Sequence, residues 1–282
     1  MPRARATAVG TTLLLAVLSL VLVGPRGVLT YVTAVLPAQA LSELHFPFQY
    51  SLTYALAYLG LAPSAARIAG AISYPVLLVV GLLLAPTASA ALRRRELLVF
   101  LPALAVLFGG PYLHQEELCF AIPAVAILAT VTQGRMQALA AFALCLLSIP
   151  WILVWFVPRL FLASIFVCAV ILLRLRIDLR LAVGMLCAIA AVIYAFELHP
   201  PRPPLPLSAP RAYAPNELAQ NAWRDFAEAH STRDVLWFAI KLPTWAALFA
   251  AIAVAVRCSL GNETGPSAED PRSCCRVSPV RR

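Results

Sequence analysis

The sequence predicts an all-α membrane protein, a polytopic helical bundle of about eight transmembrane helices with both termini in the cytoplasm. Of its 282 residues, 61% are hydrophobic and only 12% are charged, and the mean hydropathy is +0.83. A soluble domain averages roughly 45–50% apolar and about 25% charged residues. The apolar residues are also gathered into runs that short arginine-containing segments separate, which is typical of transmembrane helices.

The apolar runs follow one another as successive membrane crossings would. We predict transmembrane helices at residues 8–23, 65–84, 97–108, 119–132, 138–156, 160–173, 181–196 and 235–256. The first run follows Arg3 and Arg5 and therefore also fits a signal peptide, but the seven later runs favour an uncleaved helix. A short helix at 51–61 is predicted before the second run, because Gly60 and Pro63 are typical of a helix end.

Arginines in the short loops orient the predicted bundle. With the N-terminus inside, the short inner loops hold the arginines of 93–95, 135 and 174–180, as the positive-inside rule requires. The outer loops are then 25–64, 109–118 and 197–234, the last with a proline-rich, extended strap at 199–215. The membrane domain is predicted to be residues 1–260, and residues 261–282 a disordered cytoplasmic tail.

Charge and cysteine content exclude several kinds of partner. The net charge of +9 comes mainly from arginines between hydrophobic runs, so it indicates topology and predicts no nucleic-acid partner. The seven cysteines lack the paired spacing of a zinc site, and four of them lie inside apolar runs. No metal, disulfide or cofactor is predicted. The high content of Arg, Ala and Leu favours a bacterial protein of the plasma (inner) membrane.

The predicted outer loop at 109–118 carries three ionisable side chains close together. His114, Glu116 and Glu117 fall within four positions, between two apolar runs. Both runs are shorter than the roughly 20 residues that a transmembrane helix needs, so we expect the loop to dip below the membrane surface. Glu43 and His45, in the preceding outer loop, would face the same side of the membrane.

These side chains suit the transfer of a sugar from a lipid-linked phosphate. A carboxylate can act as a general base toward a hydroxyl, and a cation beside it can hold a phosphate leaving group. The predicted catalytic residues are Glu43, Glu116 and Glu117, and predicted substrate-binding residues are His45, Arg67 and His114. The alternative is structural: the carboxylates and histidines would be polar loop residues, and Arg67 would only reach for the membrane surface.

The single lysine of the chain, Lys241, lies inside the last apolar run. Charge within a membrane is costly, so such a residue usually has a partner or a function. The alternative is a position near the start of the helix, from which the amine reaches the membrane surface.

Three stretches are similar, in their order and spacing, to segments of one enzyme family. Residues 23–31 resemble a Gly-x-x-x-Leu-x-x-Tyr exit from a helix, and residues 48–52 resemble a polar-Ser-Leu segment in the following loop. Residues 110–117, which lead into an apolar helix with Pro123, resemble a Ser-Pro-x-x-x-x-x-Asp segment. Together these stretches resemble the later part of glycosyltransferase family 87, polytopic GT-C enzymes that use polyprenol-phosphate sugars.

The resemblance covers roughly residues 10–135 and implies an enzyme, a hexosyltransferase whose partners are membrane lipid and a polyprenol-phosphate sugar donor. It adds Gln49, in the second stretch, to the substrate-binding residues. GT-C enzymes carry a catalytic acidic residue in their first large outer loop. If this chain matches only the later part of the family, that loop is missing, and Glu43 is the candidate to replace its acidic residue.

Three alternatives to a complete enzyme stay open. The chain fits a truncated or inactive relative of the family, a non-catalytic scaffold or partner subunit, or a transporter, although no internal repeat favours the last. An enzyme would need its outer carboxylates and histidines to face one cavity, whereas a scaffold would not.

Overall fold

The structure, a computed structural model, describes residues 2–44, 46, 48–157, 159–199 and 234–260. Every regular element in these ranges is helical, and the only strand-like pairing there is one isolated bridge. The predicted helical class is therefore confirmed. Predictions for His45, for residues 200–233 and for the tail at 261–282 concern positions outside the described ranges.

The helices of the described ranges are numbered in chain order. They are α1 (Pro2–Thr30), α2 (Leu36–Ser42), α3 (Leu52–Tyr58), α4 (Pro63–Leu92), α5 (Leu97–Val106), α6 (Ala121–Val131), α7 (Gly134–Ser148), α8 (Trp151–Phe156), α9 (Arg159–Arg174), α10 (Leu179–Leu198), α11 (Val235–Ala239) and α12 (Leu242–Leu260). A π-helical segment (Tyr31–Val35) joins α1 to α2, and a 3₁₀ helix (Gln115–Phe120) precedes α6.

Four stretches of the described chain are long and apolar enough to cross a membrane. They are Leu13–Gln39, Pro63–Leu92, Leu179–Leu198 and Val235–Leu260. They support an integral membrane protein and correspond to four of the eight predicted crossings. In contrast, α5 and α6 have 10 and 11 residues. At 1.5 Å per residue each covers about half of a hydrocarbon core roughly 30 Å thick.

The first helix continues beyond its predicted end at residue 23. Gly24, at φ 76° and ψ 160°, bends the chain before Pro25, but the helix resumes to Thr30 and leads through the π-helical segment into α2. The predicted outer loop at 25–64 is therefore wrong over much of its length, because glycine absorbs a backbone conformation that other residues rarely adopt. The short helix predicted at 51–61 is confirmed as α3.

Two predicted helices are interrupted beside a proline. Residues 138–156 divide into α7 and α8 at Pro150, which has no N–H to donate to a helix. The indole N–H of Trp151 donates to the carbonyl oxygen of Leu146 across this break, at 2.8 Å. Residues 235–256 divide into α11 and α12 at Lys241, and Pro243 occupies the first turn of α12, where its missing N–H is tolerated.

The main buried core lies among α4, α5, α6, α7 and α12. Leu101, Leu104, Leu128, Leu248 and Val254 are fully buried there. The apolar stretch that begins with α1 is different, because none of its most apolar window is buried inside the protein. In a bilayer such side chains meet lipid, and their exposure carries no cost.

Glycines allow α5 and the loop after it to run back closely along α4. A Cβ at Gly81 would lie 2.7 Å from Cα of Pro102, and a Cβ at Gly70 would lie 2.7 Å from the carbonyl oxygen of Gly110. Gly110 itself has φ +93°. Its carbonyl oxygen accepts a hydrogen bond from the Thr53 hydroxyl at 3.2 Å, which ties the loop to α3.

The length of α4 allows the position of that loop to be compared with the thickness of a membrane. Its 30 residues make it about 45 Å long, so a centred α4 would extend about 7 Å beyond the hydrocarbon core at each end. Gly70, which contacts Gly110, lies about 10 Å from the first residue of α4. For a centred α4, the tip of the loop would thus lie close to the membrane boundary; the predicted depth of the loop stays a prediction.

Lys241 is enclosed by aromatic rings between α11 and α12. Its side chain has no exposed surface, and Nζ lies 3.4 Å from the centre of the Tyr54 ring and 5.8 Å from that of Tyr50. Within the described part of the chain, Nζ meets no hydrogen-bond partner. The side chain therefore points into the protein and does not reach for the membrane surface.

Replacement of Gly70 should weaken the contact between α4 and the loop. We expect Gly70→Ala to lower the free energy of unfolding in detergent by about 1–3 kcal/mol, because the methyl group would overlap Gly110 and Thr53. Gly184→Ala on α10 is the matched control, because no atom lies within 4 Å of a Cβ built there. Equal stability of the two variants would contradict the close approach.

Replacement of Lys241 tests what the amine itself contributes. We expect Lys241→Met to raise stability by about 1 kcal/mol, because the cost of burying an unpartnered amine exceeds a cation–π gain of about 2 kcal/mol or less. Lys241→Ala should lower stability by about 2–5 kcal/mol, because it leaves a cavity. If thermal unfolding shows that the Met and Ala variants are equally destabilised, the amine is essential to the fold.

Candidate functional site

Two segments pack against the loop formed by residues 109–114 and the 3₁₀ helix. They are the end of α2 with Glu43 and the stretch 48–51 before α3. Gln49 and His114 form an isolated antiparallel bridge, and the backbone N–H of Tyr50 donates to the Leu113 carbonyl oxygen at 2.7 Å. The indole N–H of Trp245 on α12 donates to the Tyr50 carbonyl oxygen at 3.1 Å, which fastens the stretch to the bundle.

The carboxylate of Glu43 is the centre of this junction. It is 3% exposed. One oxygen accepts a hydrogen bond from the Gln39 amide at 3.1 Å, and the other accepts from the Gln49 amide and lies 2.6 Å from Nε2 of His114. The amide oxygen of Gln49 accepts the N–H of Leu113 at 2.8 Å. We call Glu43, Gln39, Gln49 and His114 the Glu43 cluster.

Hydrogen bonding sets the protonation of the Glu43–His114 pair. Burial disfavours the Glu43 carboxylate, but hydrogen bonds from His114, Gln39 and Gln49 outweigh burial and lower its pKa. The hydrogen bond with Glu43 raises the pKa of His114, against the opposing effect of burial. Because Glu43 is ionised, Nε2 of His114 must carry the proton that is shared between them. The other ring nitrogen, Nδ1, lies 3.6 Å from Oε1 of Glu116.

A capping box fixes the carboxylate of Glu117. His114 is the N-cap of the 3₁₀ helix, and its backbone N–H donates to Oε2 of Glu117 at 2.9 Å. The same histidine therefore binds Glu43 through its ring and Glu117 through its backbone. On the α4 side, the backbone N–H of Gly110 donates to the Ser73 hydroxyl at 3.1 Å.

The first of two cavities beside the loop, cavity 1, has a volume of about 670 Å³. Its walls come from the π-helical segment, α2, α4, α5 and the loop, and most of the lining is apolar. Arg67, Tyr74, Tyr112 and Glu117 supply its ionisable groups. Arg67 is half-buried, and its Nη1 lies 3.5 Å from the carbonyl oxygen of Pro37, which leaves its other N–H groups able to meet a ligand.

Cavity 2, of about 690 Å³, includes the loop residues 114–116 in its wall. His114 and Glu116 are among its lining residues, together with Phe46, Phe48 and Tyr50. Glu116 is 78% exposed and faces open space beside His114. The loop therefore contributes Glu117 to cavity 1 and the neighbouring Glu116 to cavity 2.

The structure places some of the predicted site residues in direct contact and divides others between two cavities. Glu43, Gln49 and His114 touch each other directly, whereas the sequence predicted that Glu43, His45, His114 and Glu116 or Glu117 would face one cavity. Arg67 and Glu117 line cavity 1, and His114 and Glu116 line cavity 2. Cavity 2 is lined by residues of both predicted segments, 46–50 and 114–116, but Glu43 is not part of its lining, because the desolvated Glu43 carboxylate needs donors and is packed against them. His45 lies outside the described residues.

Sequence reasoning missed Gln39, whose amide donates to Glu43 from one helical turn earlier. A signal was present, because residues four apart on a helix lie side by side and an amide can pair there with a carboxylate. Residues 25–64 were predicted to be a loop, so no helical pairing of Gln39 with Glu43 was expected.

Comparison with known proteins found no matching family model, no matching curated protein and no matching solved structure. The resemblance to glycosyltransferase family 87 therefore stays a prediction. Among the described residues, no group of three or more His, Cys, Asp and Glu side chains is placed to hold a metal ion, and we assign no metal ligands.

The Glu43–His114 pair should give stability a bell-shaped pH dependence. The lowered pKa of Glu43 stabilises the fold above about pH 4.5, and this contribution is lost as the pH falls through the folded-state pKa. The raised pKa of His114 stabilises it below about pH 6.5, and this contribution is lost as the pH rises through the folded-state pKa. Wild type should exceed Glu43→Gln in melting temperature most between these values.

The matched control is Glu96→Gln, which removes an exposed carboxylate at the start of α5. This variant should follow the wild-type melting temperature from pH 4 to pH 9. A difference between wild type and Glu43→Gln that does not change over that pH range would contradict the ion pair.

Proposed function

We propose that this protein is a membrane glycosyltransferase that takes a sugar from a polyprenol-phosphate donor at the outer face of the membrane. The observation that carries the proposal is cavity 1, in which a largely apolar lining meets Arg67 and Glu117. A polyprenol-phosphate has this same division, with a long apolar chain attached to an anionic head group. We further propose eight crossings with both termini in the cytoplasm, so that the cavity opens outward.

Arg67 has the chemistry to bind the donor phosphate. Its guanidinium is always charged and offers several N–H groups in a planar fork that fits phosphate oxygens. The neighbouring apolar side chains, among them Leu36 and Ile68, offer a surface for the polyprenyl chain. A free, water-soluble sugar phosphate would leave this apolar lining uncovered, which favours a lipid-linked donor.

Glu117 is the candidate general base in the same cavity. Its carboxylate would take the proton from an acceptor hydroxyl, whose oxygen attacks the anomeric carbon of the donor sugar. The bond between that carbon and the phosphate oxygen breaks, and the polyprenol phosphate leaves with the electron pair, its charge stabilised by Arg67. In this mechanism Glu43 and His114 are positioning residues: they hold the loop whose backbone N–H orients Glu117.

A second function, that of a non-catalytic membrane scaffold, is favoured by one observation. The carboxylate of Glu43 is engaged by three side chains of the protein itself, as expected of a structural tie between helices. A scaffold would need the Glu43 cluster for stability, but it would not need the charges of Arg67 and Glu117.

Transfer from defined donors distinguishes the two functions. The protein in lipid nanodiscs would be mixed with polyprenol-phosphate hexoses of several sugars and a bacterial envelope fraction as acceptor source, and released polyprenol phosphate would be measured. We expect Glu117→Gln to lower the rate by about a hundredfold or more, because it removes the base. Arg67→Gln should lower it by a similar factor, because it removes the stabilising cation.

Glu96→Gln is the charge-matched control and should keep the wild-type rate. Melting temperatures of all variants would show that they are folded. Absence of release from every donor, or full activity of both Glu117→Gln and Arg67→Gln, would reject the enzyme and leave the scaffold.

A further inference from the structure

Cavity 2 offers a different chemical surface from cavity 1. Phe46, Phe48 and Tyr50 are among its lining residues; Phe46 and Phe48 are half-buried, whereas Tyr50 is 1% exposed and offers almost no ring surface. The centres of the Phe46 and Phe48 rings are 5.2 Å apart at an interplanar angle of 48°, and the Phe46 ring meets the His114 ring edge-on at 6.3 Å. Phe48 is supported from behind by Trp237, at 5.9 Å between ring centres. These contacts hold a rigid apolar surface at the cavity.

Polar side chains form the other part of the lining. Glu116 and Gln115 come from the 3₁₀ helix, and Ser148 and Thr244 add hydroxyl groups from α7 and α12. Glu43, behind His114, fixes the orientation of the histidine ring. The Ser148 hydroxyl already donates to the Leu144 carbonyl oxygen at 2.8 Å, and the Thr244 hydroxyl is hydrogen-bonded to Tyr50. A ligand that only filled the cavity with hydrocarbon would cover the Gln115 amide and the Glu116 carboxylate without giving them partners, at a cost of roughly 1–3 kcal/mol for each. The occupant must therefore have hydroxyl or amide groups as well as apolar faces.

The charge of the residues that line cavity 2 restricts its ligand further. No arginine or lysine is among the described residues that line cavity 2, whereas Glu116 brings a carboxylate to it. An anionic head group would meet this carboxylate and the Glu43–His114 pair without an added cation, so phosphate is disfavoured there. Cavity 1, with Arg67, has the opposite preference. The volume of about 690 Å³ lies within the range of small-molecule sites, roughly 300–1,000 Å³.

We propose that cavity 2 binds a neutral carbohydrate. A pyranose ring has C–H faces that pack on aromatic rings and a rim of hydroxyls that can donate to Glu116 and exchange hydrogen bonds with His114 and the hydroxyl side chains. As a statement about binding, the proposal stands on the lining of cavity 2 alone. The role of this carbohydrate rests on the proposed function: it is the acceptor of the transferred sugar, so the acceptor is a sugar and not a lipid.

The position of the loop is consistent with that role. Glu116 and Glu117 are consecutive, yet they line different cavities. A sugar hydroxyl held by Glu116 at the outer rim of cavity 2 would approach Glu117 over this one loop. The donor and the acceptor would then bind on opposite sides of the 3₁₀ helix and react at its exposed edge.

Binding can be tested without any donor. The full chain in lipid nanodiscs would be examined by saturation-transfer NMR with methyl α-D-glucopyranoside and methyl α-D-mannopyranoside at millimolar concentration. We expect saturation of the ring C–H protons, because these would pack on Phe46 and Phe48. Phe48→Ala and Glu116→Gln should each weaken binding by about tenfold. Because Glu116 is largely exposed, its replacement should not affect folding.

Matched controls are Phe166→Ala, which removes an exposed ring on α9, and Glu96→Gln. Both should bind the glycosides as wild type does. The proposal is overturned if neither glycoside shows saturation transfer, if Phe48→Ala and Glu116→Gln bind as well as wild type, or if only tetramethylammonium, a cationic probe, occupies the site. Sugar transfer without glycoside binding would reject this inference alone, whereas binding without transfer would reject only the proposed function.

Discussion

A single buried carboxylate joins the parts of this protein that carry its polar chemistry. Glu43 receives hydrogen bonds from Gln39 on α2, from Gln49 before α3 and from His114 after α5. A carboxylate in such a place is costly unless donors surround it, so the three segments must stay together for the charge to be stable. Loss of one hydrogen-bond donor would leave the buried charge of the Glu43 carboxylate insufficiently stabilised. The three contacts to Glu43 therefore depend on one another, and they hold the loop at 109–118 in its position.

Helices α5 and α6 are short, and the loop between them is held against helix α4. With 10 and 11 residues, the two helices stop early, and the loop packs on Gly70 and Ser73 of α4. Backbone groups that are shielded from water need partners within the protein. Thr53, Ser73, Gln49 and Tyr50 supply them, which explains why so many contacts converge on a few residues.

Composition and local pattern were sufficient to predict the helical class, the short helices beside the loop and, of the polar residues that meet there, Glu43 and His114 as site candidates. They could not predict which side chains would touch. The meeting of Glu43 with His114 joins positions 71 residues apart, and only packing decides it. The first helix was predicted to end at residue 23, where its apolar run ends, but Gly24 lets the helix bend and continue. Pro150 shows the opposite error: a run that is apolar throughout was taken as one helix, although the proline interrupts it.

The 3₁₀ geometry of Gln115–Phe120 explains how one loop can line two cavities. Such a helix has three residues per turn, so consecutive side chains point about 120° apart. Glu116 and Glu117 are thereby directed to different sides, which an extended loop would not impose. The capping box then fixes Glu117 through the backbone of His114, while the ring of His114 stays beside Glu116. The Glu43 cluster, by holding that one histidine, therefore sets the direction of both carboxylates, and the chemistry of cavity 1 and cavity 2 depends on the same buried pair.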